Sequence, residues 1–153
     1  MNRSLYTKLV LIILFLIISL TAVTGVFLTR GVRSFYLNEF YNRMQEVFSD
    51  EELASGLRSA AQADAPDNMA EVLGAYTGRL GIDTGTRNYH ILSGETGAWL
   101  AGSVTPENGV AITPNIISAI AGENGYASDP TAEYMDVALP IEGGAANYIV
   151  YVV

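Results

Sequence analysis

The sequence predicts an α+β protein tethered to a membrane. An N-terminal transmembrane helix continues into a long stalk helix, followed by helices packed on a four- to five-stranded antiparallel sheet. Three observations lead there. Leu9 to Leu28, LVLIILFLIISLTAVTGVFL, is an apolar run of 20 residues with no charge. Beyond it, apolar side chains recur at three- and four-residue steps as far as Leu80. From Asn88 onward the repeat shortens to two, the period of a strand.

At about 1.5 Å per residue the apolar run reaches about 30 Å, the thickness of a bilayer's hydrocarbon core. Its polar side chains, Ser19, Thr21 and Thr24, can bond back to helix carbonyls. A cleaved signal peptide has a shorter core and a small-x-small site, which Ala22-Val23-Thr24 matches poorly. The expectation is an uncleaved anchor: tail 1–8 in the cytoplasm, span 9–28, stalk 29–48 and an exterior domain 49–153. Membrane lipid is thereby an expected partner.

Orientation does not follow from the flanking cations. Arg3 and Lys8 precede the span; Arg30, Arg33 and Arg43 follow it, so the positive-inside count is close to a tie. The downstream composition is more informative. Residues 29–153 hold six Arg, no Lys and all 16 acids, which leaves ten net negative charges. Such a composition suits a domain outside the cell membrane, which needs no affinity for the anionic inner leaflet. It also excludes nucleic acid as a partner, which needs basic patches. The absence of Cys rules out disulfides and thiolate metal sites.

Phe35, Leu37, Phe40, Tyr41, Met44, Val47 and Phe48 give the stalk one apolar stripe. Ser49-Asp-Glu-Glu52 has capping-box spacing and starts a helix over about 50–62. Asp64-Ala-Pro-Asp67 caps a third, about 68–80, with Met69, Val72, Leu73, Tyr76 and Leu80 inside and Gly81 as its stop. Asn88–Ser93 and Ala98–Ser103 read as a hairpin around Gly94-Glu-Thr-Gly97. Pro114 opens a short helix that Gly122 closes. Glu133–Ile141 alternates, with Met135, Val137, Leu139 and Ile141 on one side and Tyr134, Asp136 and Ala138 on the other. Gly143-Gly144 turns the chain into Ala146–Val153, an apolar strand expected at the sheet's centre.

The segment LGIDTGTRNYHILSGETGAWLAGS, residues 80–103, followed by a helix and by the YMDVALPI–GG–NYIVYV hairpin, resembles the extracellular PAS-like or Cache-like sensor domains of bacterial membrane sensor histidine kinases. The span running into a long helix also matches, so the resemblance covers nearly all of residues 5–153. It implies a two-component signal-transduction receptor whose exterior domain senses a small-molecule or protein signal as a homodimer. A second span and a kinase are then expected beyond Val153, because the sequence stops inside an apolar run. Chemoreceptors and cyclases share such domains, so the output is open. A pilin-like surface protein is the structural alternative. Pilins carry a Glu at the fifth position of their apolar helix, and this run has no acid.

Catalytic chemistry has little support. The sequence has one His, His90, and no His-Glu-x-x-His, nucleophile elbow or P-loop. No cofactor or metal is expected; Asp129, Glu133 and Asp136 lack the spacing of a calcium loop. A pocket between the sheet and the segment crossing it, about 104–132, is the expected ligand site. Its candidate residues are Arg87, Tyr89, Trp99, Tyr126, Tyr134 and Asp136. Arg87 is the only Arg after Arg79 and could grip a carboxylate bidentately; the plainer role is a surface pair with Asp83. Asp136 interrupts an apolar strand, and its plainer role is to face solvent. Tyr126 is either a lid contact or a loop aromatic.

Overall fold

The computed structural model describes residues 2–80, 87–127, 129 and 132–153. Helix α1 covers Asn2–Phe48 without a break. The chain forms two compact units, Met1–Asn38 and Glu39–Val153.

The first unit is helical. Its apolar side chains from Leu9 to Leu28 are exposed, and its most apolar 18-residue window has a mean hydropathy of 2.9. Among the described residues this is the one helix long and apolar enough to cross a membrane. Thr21 and Thr24 donate to Ile17 and Leu20 carbonyls at 2.8 Å, so neither hydroxyl enters hydrocarbon unbonded. Tyr6 and Tyr36 are both exposed and stand 30 positions apart. On a helix that is about 45 Å, the depth of a bilayer with its headgroups, where aromatic belts sit.

The second unit begins with the last ten residues of α1. Phe40, Tyr41, Met44 and Val47 are buried there, whereas Phe48 is half-buried. Helix α2, Glu51–Gln62, is capped by Asp50, whose carboxylate accepts from the Glu52 and Leu53 amides. The expected Ser49 cap is thus displaced by one residue: Ser49 Oγ donates back to Gln45 O at 2.6 Å and closes α1 instead. Helix α3, Pro66–Ala75, starts with Pro at its first turn and without a side-chain cap. It stops at Tyr76, and α4, Thr77–Leu80, follows as a separate turn. The single third helix read from the sequence is therefore two. Gly81, its expected stop, lies outside the described residues.

Four strands make one antiparallel sheet in the order β2-β1-β4-β3: β1 Tyr89–Ser93, β2 Trp99–Gly102, β3 Val137–Ile141 and β4 Tyr148–Val152. β4 is central, as its uninterrupted apolar sequence requires. Ile91 pairs with Val150, which pairs with Leu139; His90 pairs with Tyr151, which pairs with Ala138. Strand alternation then puts these two rows on opposite faces. Helix α5, Pro114–Ile120, covers one face, where Leu92, Ile116, Ala119, Ala138, Ile149 and Tyr151 form a core. Helices α2 and α3 cover the other. Both faces are buried, so Val137, Ala138 and Leu139 are all inside. A strand with one face in water would have exposed every second one.

β3 is an edge strand, shorter than the 133–141 span that alternation suggests. Its outer side is closed by two devices. Gly125 exchanges both backbone hydrogen bonds with Ala138, at 2.7 and 3.1 Å. Two residues on, Pro140 occupies the next outward position and offers no N–H to a stray strand. The β3–β4 turn is held from outside the sheet by Asp64, at φ 50°, whose carboxylate accepts from the Ala145 amide at 3.0 Å and the Tyr148 hydroxyl at 3.1 Å.

Candidate functional site

The most connected polar cluster sits where the crossing segment meets β3. Thr113 caps α5 by accepting from Ile116 N, and its hydroxyl donates to Asp136 Oδ2 at 2.6 Å. Asn115, one residue into the same helix and 2 % exposed, donates to Asp136 Oδ1 at 2.8 Å, to the Asp136 carbonyl at 3.0 Å and to the Ala127 carbonyl at 3.1 Å. Its amide oxygen accepts from Ala127 N at 2.8 Å. Tyr41 of α1 donates to the same Ala127 carbonyl at 3.0 Å. The Tyr151 phenol of β4 lies close enough to feel the Asp136 charge. Burial first, and the Asp136 charge second, raise the pKa of both the Tyr41 and Tyr151 phenols, so both stay protonated.

This knot joins four pieces of chain: the end of α1, the start of α5, the loop at Ala127 and the sheet. Among the described residues no buried side-chain nitrogen or oxygen lacks a partner. Asp136 therefore spends its acceptors inside the protein. It is 9 % exposed and does not face solvent, because the helix cap and the Asn115 amide supply the donors that water would otherwise give.

The other candidates lie apart from it. Arg87 packs over the Phe40 ring, 4.2 Å from its centroid. Burial and, secondarily, Arg43 lower its pKa from the ordinary value. Asp83, its expected partner, lies outside the described residues. Tyr89 is half-buried on the α3 side of the sheet, with its hydroxyl against Gly74. Trp99 donates from Nε1 to His90 Nδ1 at 3.2 Å, and His90 stacks on Tyr151. Tyr134 is 66 % exposed. Tyr126 is half-buried and lines a surface groove beside β3. Where a ligand cavity was expected, α5 packs directly on the sheet through Ile116 and Ala119. Thr113, Asn115, Tyr41 and Tyr151 escape a reading by sequence. Thr113-Pro114 is legible as a helix start, but nothing local marks Asn115.

Two grooves, of about 440 and 470 Å³, run along β3 and share Arg58, Asn124, Pro140 and Ile141. No three His, Cys, Asp or Glu side chains among the described residues converge as a metal set.

The Trp99–His90 bond makes a pH prediction. Nδ1 accepts the indole proton, so it must itself be unprotonated, and burial holds the His90 pKa below its ordinary 6.5. The unfolded chain thus takes up a proton at higher pH than the folded one. Stability is whole above pH 6.5 and falls on acidification at up to about 1.4 kcal/mol per pH unit, until the folded-state pKa is passed. Asp50 and Asp64 have depressed pKa values and lose their contributions only lower, below the ordinary carboxylate value of 3.8. Unfolding followed by the fluorescence of Trp99, the sole tryptophan, should show this slope as the pH falls below 6.5. In His90→Gln it should flatten.

Comparison with protein-family models, with curated proteins and with solved structures gives no match.

Proposed function

We propose that this chain is the extracytoplasmic sensing module of a membrane-bound sensor histidine kinase. Three features support the reading. The N-terminal helix has the length and composition of a membrane span. The hairpin, crossing helix and closing hairpin follow one another in the order of the PAS-like and Cache-like domains that the sequence resembles. The third carries the most weight: Tyr41, on the same helix α1 as the apolar run, is hydrogen-bonded into the knot that holds α5, the Ala127 loop and Asp136 at the entry to β3.

A signal that repacks the knot then acts on the end of α1 and, through β3 and its partner β4, on the last strand together. Linkage requires that the signal bind one arrangement better than the other; tight but equal binding moves nothing. Two copies paired along their stalks give such a displacement a partner to act against.

The chain has no Cys, so single-cysteine variants report on one site each. Tyr134→Cys should react with a membrane-impermeant maleimide in intact cells. Reaction only after lysis would place the domain in the cytosol and end the proposal. Single cysteines stepped through residues 30–38 should cross-link between copies in membranes with a three- to four-residue period. A uniformly low profile would remove the paired stalk.

A further inference from the structure

The groove between α2 and β3 has a chemistry unlike the rest of this acidic protein. Its lining sets the apolar Phe48, Leu57 and Leu139 beside the polar Gln45, Ser49 and Asn124, and it includes Arg58 but no Asp or Glu. With 16 acids against eight cations in the sequence, a recess with a cation and no acid is the exception. Among the described residues, Arg58 forms no ion pair or hydrogen bond, and neither the Asn124 amide nor the Tyr126 hydroxyl has a partner. Arg58, Asn124 and Tyr126 thus line one recess with no partner from the protein for their polar groups. Arg79 shows the contrast: it is closed off by Asp50 at 2.6 Å.

A guanidinium matches a carboxylate through two parallel N–H bonds. An amide N–H and a phenol O–H are also donors. About 440 Å³ of groove is room for a ring or short branched chain, within the range of small-molecule sites. We propose that this groove binds a small organic monocarboxylate with an apolar body, its carboxylate on Arg58 and its body against Phe48, Leu57 and Leu139. The sensing role and this site are separable, because binding is measured whatever the output.

The neighbouring groove sets the polarity of the ligand. It shares Arg58 and Asn124 but contains Glu142. That carboxylate repels a second acid group on the ligand, so dicarboxylates are disfavoured against monocarboxylates of the same size.

The test uses the full chain in lipid nanodiscs and three fluorinated probes: 4-fluorophenylacetate, its uncharged amide, and 4-fluorobenzylamine. Fluorine NMR line broadening gives each affinity. The acid should bind saturably, and at least about tenfold more tightly than the amide or the amine. Arg58→Gln should lose about that factor, and Tyr126→Phe a smaller one. Arg58 is exposed and without a partner among the described residues, so the Arg58→Gln protein should unfold at the unaltered temperature, which excludes misfolding as the cause. No saturable binding of the acid up to 10 mM (roughly the affinity of a very weak site), equal binding of acid and amide, or full binding by Arg58→Gln would each overturn the proposal. None of these results bears on which side of the membrane the domain lies, so failure here leaves the receptor reading to its own test.

Discussion

Asn115→Ala should destabilise the water-exposed unit by about 3 kcal/mol, more than any surface change in the molecule. The side chain is 2 % exposed and serves Asp136 and Ala127 through four hydrogen bonds. A typical bond is worth about 1 kcal/mol net, but the loss is larger when a buried partner is left unsatisfied, and larger again when that partner is charged. Here Asp136 loses a donor at a position only 9 % exposed. Thermal unfolding monitored by near-ultraviolet circular dichroism measures the effect. Asn115→Asp is the diagnostic companion. It keeps the shape but sets a second carboxylate against Asp136, so it should be poor at neutral pH and recover in acid, when one of the pair takes a proton. An Asn115→Ala protein as stable as the unaltered chain would show that the knot does not hold the domain.

Gly125→Ala should have an effect of similar size, about 3 kcal/mol, for a steric reason. An added Cβ would overlap the Asn115 carbonyl oxygen and stand 2.8 Å from its Cα. Those are backbone atoms of α5, which cannot swing aside as a flexible side chain would. The loop must retreat, and with it go the paired bonds between Gly125 and Ala138 that close the sheet edge. Exposed edge groups then invite pairing between molecules, so this variant should also aggregate on heating. Gly78→Ala is the control: its Cβ meets nothing within 4 Å, and its stability should change little. Because Gly125 and Asn115 act on one contact, the double variant should fall short of the summed effects by 0.5 kcal/mol or more. Full additivity would mean that the two residues support different parts of the fold.

Both expectations concern a site that the sequence only half discloses. Asp136 is conspicuous as an acid inside an apolar strand, yet its neighbours in the chain suggest water or a ligand. Its true partners, Thr113 and Asn115, lie more than 20 residues away. Arg87, Trp99 and Tyr126 are likewise conspicuous singly, and the structure gives each a different surrounding: Phe40, His90 and a surface groove. Residues read as one pocket from their chemistry are dispersed because Tyr89 and Trp99 lie on different strands, whereas Arg87, Tyr126, Tyr134 and Asp136 lie in connections whose course the sheet and helices decide.

The sequence by itself determined the parts whose cause is local. An uncharged run of 20 residues is membrane-spanning in length whatever follows it. Capping and turn residues set where the short helix and the first hairpin begin, and continuous apolar character put the last strand at the centre of the sheet. Tertiary structure alone decided which faces are covered and which polar groups meet. Burial of both sheet faces, the closure of β3 by Gly125 and the knot around Asp136 depend on contacts between distant residues. Such contacts carry no period and no spacing along the chain; they exist only once the helices have docked and removed the water that those groups would otherwise bind.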